Sequence, residues 1–198
     1  MWVKICGLSR AADVEAAVEA GADAVGFVLA ESPRRVSPET ARRLGEGLTV
    51  QRVLVTVDAR PEQLMRWVAA TGATGVQPHG LHSADAGSAA ISEGLLVLHP
   101  VRVRSRVDLG EVPAGRIPLL DTFEPNRHGG SGSSFDWDLI GPADRDFVLA
   151  GGLNSENVAG AIARVSPWGV DASSGLESAP GVKDPELIRE FVREAKKK

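Results

Sequence analysis

Trp2-Val3-Lys4-Ile5-Cys6-Gly7 is a short apolar run, interrupted by one lysine, that ends on the chain's single cysteine with glycine directly behind it. Side chains alternate across a strand, so Trp2, Lys4 and Cys6 share one face while Val3 and Ile5 share the other. A lysine beside a thiol is an odd way to build a core and a sensible way to build a reactive pocket. The residues beyond Gly7 give the fold class. Val14, Ala17 and Val18 lie on one helical stripe, Gly21 stops that helix, and Ala22 to Leu29 reads as a buried strand.

The strand-then-helix unit recurs along the chain. Pro33 keeps Glu31 to Val36 out of helix; Ser37 and Pro38 then supply an N-cap and a first helical residue, and that helix runs to about Gly47. Arg52 to Val57 is a strand and Pro61 opens a helix with Leu64, Trp67 and Val68 inward. Thr74 to Gln77 is a short strand, 83–92 an alanine-rich helix, and Leu95 to His99 a strand leading into a poorly marked connection over 104–111. Ile117 to Asp121 is a strand, Phe135 to Ile140 a short helix, and Phe147 to Ala150 a strand. Asn154 caps a helix carrying Val158, Ala161, Ile162 and Val165. Trp168 to Asp171 is the last strand, and Asp184-Pro185-Glu186 opens the last helix. Eight strands alternating with helical connections pair in parallel and close, which predicts a single small (β/α)8 (TIM) barrel domain over residues 1–198. The competing open doubly wound sheet carries a glycine-rich nucleotide loop after its first strand, and Cys6-Gly7-Leu8-Ser9 is no such loop.

Composition narrows the function class. The 198 residues are 43% apolar and 24% charged with a net charge of −4, and no stretch collects basic and aromatic residues as a nucleic-acid surface does. One cysteine makes no internal disulfide, and no Cys/His spacing resembles a metal site. No apolar run approaches a membrane span, and the chain opens on strand rather than on a signal peptide. The expectation is a cytoplasmic enzyme, a monomer rather than a homodimer, acting on a small molecule with neither nucleic acid nor membrane as partner.

Active sites of such barrels lie at the C-terminal strand ends, so each end is a candidate. Cys6 ends the first strand; a buried free cysteine is often simply a small hydrophobe, but Lys4 on the same face favours a thiolate. Lys4 can equally be committed to a barrel carboxylate. Arg34 and Arg35 follow the second strand on a proline-stiffened loop, placed either for solubility or for bidentate capture of a carboxylate or phosphate. His79 follows the fourth strand, where a ligand contact and a loop-packing role are both open. Asp121 shares inward parity with Ile117 and Leu119, and burial raises a carboxyl pKa toward that of a general acid. The thirteen residues from Thr122 to Ser134 that come next read as a lid. Gly151-Gly152 after strand seven and Ser173-Ser174-Gly175 after strand eight make an anion cradle of freed backbone amides, a common phosphate position in this fold.

These segments, taken in order, resemble phosphoribosylanthranilate isomerase of tryptophan biosynthesis. The resemblance is carried by Lys4-Ile5-Cys6-Gly7, Gly21 to Phe27, Ser32-Pro33-Arg34, His79-Gly80, Leu120-Asp121-Thr122, Gly129 to Gly132 with Phe135-Asp136-Trp137, Gly151 to Asn154, Val170-Asp171, Ser173 to Gly175 and Pro180 to Asp184. It implies a cofactor- and metal-independent Amadori rearrangement of N-(5-phosphoribosyl)anthranilate. By that resemblance Cys6 is the general base at ribose C2, Asp121 the general acid at the ring oxygen, and Arg34 the contact for the anthranilate carboxylate. The two late loops, with Ser173 and Ser174 as donors, hold the phosphate; the resemblance gives Asp171 no fixed role, and a ligand hydroxyl and Lys4 are both open as its partner. Pro78, Asp58, His99, Pro100, Ser133 and Ala172 depart from the family's usual residues and leave both catalytic groups in place. The related histidine-pathway isomerase, a bifunctional form and a non-catalytic phosphate-binding paralogue are the alternatives. The first uses an aspartate where this chain has Cys6, and its second phosphate needs a further cradle that the first half of the chain lacks.

Overall fold

A computed structural model describes residues 1–105, 107, 109–122, 136–140 and 144–197. The expected lid beyond Thr122, with its glycine-serine run and Ser133, lies outside the described residues, as does Phe135 at the start of the expected short helix. Eight parallel strands close into a barrel in sequence order. They are β1 (Trp2–Cys6), β2 (Ala24–Val28), β3 (Gln51–Val57), β4 (Gly75–His79), β5 (Leu96–Val103), β6 (Ile117–Thr122), β7 (Val148–Leu149) and β8 (Gly169–Ala172). The helices are α1 (Ala11–Glu19), α2 (Pro38–Gly45), α3 (Pro61–Thr71), α4 (Ser83–Ser92), α5 (Val158–Val165) and α6 (Pro185–Lys196). A hairpin of β9 (Glu177–Ala179) and β10 (Val182–Lys183) stands between β8 and α6.

Alternation along the strands sorts side chains into two cores. Val3, Ile5, Val25, Phe27, Leu54, Leu120, Leu149 and Val170 point outward and pack on Val14, Ala17, Leu44, Val158, Ile188 and Phe191 of the helices. Ala24, Val53, Leu98, Leu119 and Val148 fill the barrel itself, with Trp2 and Trp168 stacked at 5.0 Å beside them. A Cβ on Gly169 would lie 2.7 Å from the Trp2 ring, so the bare glycine gives that ring its seat. Helix starts follow the sequence: Ser37 accepts from the Thr40 amide and Asp184 from the Glu186 amide, each with proline at the first turn.

The structure departs from the sequence expectation at several points, among them β5, which is expected to end at His99 and runs on to Val103. β4 runs on to His79, so that residue is in the strand and inward rather than in the loop after it. Proline lacks an amide hydrogen, but the β4–β5 ladder ends at Val76 and Val97, before Pro78 or Pro100 is reached. The last barrel helix before β8 starts at Val158, with Asn157 at its N-cap. Asn154 instead closes the preceding turn, accepting from the Glu156 and Asn157 amides. The short helix expected up to Ile140 is, among the described residues, a 3-10 turn over Trp137–Leu139. The β9–β10 hairpin is absent from the sequence expectation; its turn is Pro180-Gly181, with Gly181 at φ 79°, where a left-handed residue suits glycine.

Candidate active site

The C-terminal mouth of the barrel opens into a cleft of about 810 Å³. Cys6, Arg34, Gln77, His79, Asp121, Asp171, Ser173, Ser174 and Glu177 line it. Thus strand parity brings the thiol of β1 and the carboxyl of β6 into one cavity, together with groups from β2, β4 and β8.

Beneath the thiol lies a fully buried cation. Strand register sets Lys4 beside Asp171, and its Nζ donates to Asp171 Oδ2 at 2.9 Å and, across the barrel, to Gln77 Oε1 at 3.0 Å. Gln77 Nε2 in turn meets His79 Nε2 at 3.2 Å. Burial alone would depress the Lys4 pKa, but Asp171 and Cys6 together lift it above its ordinary value, so the ammonium stays charged. Lys4 is therefore committed to a barrel carboxylate while it sits by the thiol, and its pull toward the thiolate is outweighed there by burial. The room for this comes from Gly26 of β2, where a Cβ would stand 2.9 Å from Cys6 Sγ and 3.2 Å from Lys4 Cε.

The two proposed proton-transfer groups are tuned by desolvation. Burial pushes the Cys6 thiol up, against the downward pull of Lys4 and, more weakly, of Lys183. Asp121 is pushed up to about 6, chiefly by burial, although its Oδ1 accepts from the Thr122 amide at 2.8 Å. Gly151 permits that arrangement, since a Cβ there would fall 2.3 Å from Thr122 Oγ1 and 3.0 Å from Asp121 Oδ1. Asp171 Oδ1 is buried with no hydrogen-bond partner among the described residues, and Asp171 lines the cleft. That leaves an acceptor for a ligand hydroxyl.

The late loops meet each other. Gly151 and Gly152 adopt φ of 81° and 65°, and a Cβ on Gly175 would lie 2.2 Å from the Leu153 carbonyl oxygen. Ser173 and Ser174 face the cleft, whereas Gly151, Gly152 and Gly175 lie outside its lining and shape the loop contact behind it. Ser173 Oγ donates to the Cys6 carbonyl at 3.1 Å, tying this loop to β1. Among the described residues no cluster of three or more His, Cys, Asp or Glu is placed to hold a metal ion.

Arg34 is placed in the cleft but not as an isolated cation. Its Nε and Nη2 make a side-on fork to Glu177 at 2.6 and 2.8 Å, and the buried Lys183 Nζ shares Glu177 Oε1 at 2.7 Å. Arg35 pairs instead with the exposed Glu31 on the surface. The residue order alone does not single out Gln77, Glu177 and Lys183 as site residues. Gln77 carries a signal, being a polar residue of inward parity in an apolar strand; Glu177 and Lys183 require the hairpin.

A family model described as N-(5'phosphoribosyl)anthranilate (PRA) isomerase matches residues 3–194. The N-(5'-phosphoribosyl)anthranilate isomerase of Rubrobacter xylanophilus is 43% identical, over 98% of each chain. The crystal structure of the Thermotoga maritima phosphoribosyl anthranilate isomerase superposes with a TM-score of 0.88 at 41% identity, covering 99% of this chain and 98% of that one. A further isomerase structure, in complex with reduced 1-(o-carboxyphenylamino)-1-deoxyribulose 5-phosphate, has a TM-score of 0.82 at 38% identity, covering 99% and 98%. The chain belongs to the N-(5'-phosphoribosyl)anthranilate isomerase family.

Proposed function

We propose that this chain rearranges N-(5-phosphoribosyl)anthranilate to 1-(2-carboxyphenylamino)-1-deoxyribulose 5-phosphate, with Asp121 as general acid and Cys6 as general base. The observation that carries the roles is a half-buried carboxyl, pushed up to about 6 by desolvation, and a thiol over a fixed ammonium, facing one cleft. Protonated Asp121 gives its proton to the furanose ring oxygen. The C1–O bond breaks with its electron pair on oxygen, and the nitrogen lone pair forms the iminium. The Cys6 thiolate then removes the C2 proton; those electrons form the C1=C2 double bond and nitrogen recovers its lone pair. Protonation at C1 and loss of the C2 hydroxyl proton give the ketone. Protons alone move, so the reaction balances without an outside oxidant or reductant. Ser173 and Ser174, with the loop shaped by Gly151, Gly152 and Gly175, hold the phosphate. Asp171 Oδ1 takes a ribose hydroxyl, His79 contacts the ligand from β4, and Lys4 steadies the thiolate.

The pKa order is inverted relative to the roles, because the acid titrates below the base. Between the two values most molecules carry ionised Asp121 and neutral Cys6, and the competent form, with the proton on Asp121, is a constant minority. The expected kcat/KM profile is therefore bell-shaped, with its acid limb at pH about 6 set by Asp121. Its alkaline limb belongs to the thiol. Loss of substrate fluorescence, followed with freshly made phosphoribosylanthranilate across the range from about pH 5 to about pH 10, reads this out. Absence of turnover sinks the function, and an acid limb that persists in Asp121→Asn sinks the assignment of that limb.

Two coarser features accompany this reading. Among the described residues no helix is long and apolar enough to cross a membrane, and a cytoplasmic setting fits a biosynthetic isomerase. The chain is a monomer on this reading, because Met1 and Leu81 are the large exposed hydrophobics among the described residues. A Thermotoga maritima relative is dimeric. Sedimentation at micromolar concentration is expected to give the mass of one chain; a dimer mass contradicts it.

A further inference from the structure

We infer that Glu177 is a positioning residue for recognition of the aryl carboxylate, holding the Arg34 guanidinium toward the cleft in one orientation. The inference rests on the isomerase reading and names the residue that sets its selectivity for an acidic aromatic ring.

Glu177 is saturated. Its Oε1 accepts from Arg34 Nε at 2.6 Å and Lys183 Nζ at 2.7 Å; its Oε2 accepts from Arg34 Nη2 at 2.8 Å and the Gly181 amide at 3.2 Å. Four donors fill the lone-pair directions of a carboxylate, so Glu177 has no capacity left to act on substrate itself. Lys183 is committed inward as well, donating to the Ser173 carbonyl at 2.9 Å with its side chain fully buried.

The clamp on Arg34 has three sides. Gly7 leaves space for its stem, since a Cβ there would lie 2.5 Å from Arg34 Cδ. Gly181 brings the hairpin turn onto the Arg34 loop, since a Cβ there would lie 2.5 Å from the Pro33 carbonyl. Glu177 then takes the Nε–Nη2 edge, which leaves the Nη1 end with no hydrogen-bond partner among the described residues. Arg34 keeps 13% exposure, against 5% for Glu177 and 0% for Lys183.

Charge points to the occupant. Two cations share one anion here, while Lys4 and Asp171 cancel, so among the described residues this wall holds a net positive charge that reaches the cleft through Arg34. A planar carboxylate meeting the guanidinium end-on completes the balance. Glu177 keeps the long arginine side chain in place before the ligand arrives, and preorganisation of this kind appears as affinity.

The test is calorimetric binding of two ligands to the whole protein: the reduced carboxyphenylamino product analogue and its phenylamino counterpart without the carboxyl. Wild type is expected to prefer the carboxylated ligand by roughly thirtyfold or more, the range for losing one side of a desolvated charge pair. Glu177→Asp keeps an anion beside Lys183 but is too short for the fork, and Glu177→Gln removes the charge. In both, the preference is expected to fall to within about threefold, with binding of the carboxyl-free ligand unchanged and KM raised more than kcat is lowered. A merely structural Glu177 weakens both ligands alike, and a Glu177 that competes with substrate for Arg34 raises the preference when removed; either result overturns the inference. Failure of wild type to bind either ligand overturns the isomerase reading on which it stands.

Discussion

Asp121→Asn is expected to lower kcat by roughly 10²- to 10⁴-fold, the usual contribution of a positioned general acid, while the reduced product analogue binds about as well as to wild type. Asparagine keeps the acceptor for the Thr122 amide and the shape that Gly151 accommodates, and loses only the transferable proton. The ring oxygen must then leave without protonation. The same substitution has a second consequence of definite sign. The folded pKa of about 6 lies above the ordinary carboxyl value of 3.8, so the fold disfavours the ionised group. No penalty exists below pH about 4; it grows as pH rises and is complete above about 6, where two pKa units amount to about 3 kcal/mol. The variant is thus expected to melt higher than wild type at about pH 8 and close to it at about pH 4, an activity loss joined to a stability gain. Thermal melts at the two pH values check it, and equal shifts at both contradict the burial argument.

Cys6→Ser is the other large effect. A serine hydroxyl fits the space that Gly26 leaves for sulfur but ionises far less readily, so abstraction of the C2 proton fails even with Lys4 in place. The expected loss is at the upper end of the acid–base range, roughly 10⁴-fold or beyond, because a C–H proton leaves very slowly without a strong base positioned over it. The alkaline limb of the pH profile disappears with the thiol. Retention of rapid turnover in this variant removes Cys6 from the mechanism.

Much of this site is legible in residue order because parity is a local property. Trp2, Lys4 and Cys6 have to share a face, as do Ile117, Leu119 and Asp121, and strand ends in a barrel converge on one mouth. The barrel interior and the helix-facing shell obey the same rule. Register between strands is not local: nothing in the order of residues aligns Lys4 with Asp171, which stands 167 positions away, and that pairing settles what the lysine does. His79 reads from sequence as a loop residue because the strand is expected to end at Gln77, whereas the ladder to β5 ends at Val76 and β4 itself continues through Pro78 to His79. Arg34 is legible as a cation at the mouth, but its partner Glu177 comes from 143 residues on, through a hairpin signalled only by Pro180-Gly181.

The division of labour between Asp121 and Cys6 is tested most directly by a single-turnover experiment. Cys6→Ser in excess is mixed with freshly made phosphoribosylanthranilate and compared with wild type under the same conditions. With the acid intact and the base missing, substrate is expected to bind with near wild-type affinity and its conversion to the deoxyribulose product to slow by roughly 10⁴-fold or beyond. Product formation at the wild-type rate contradicts proton removal by Cys6.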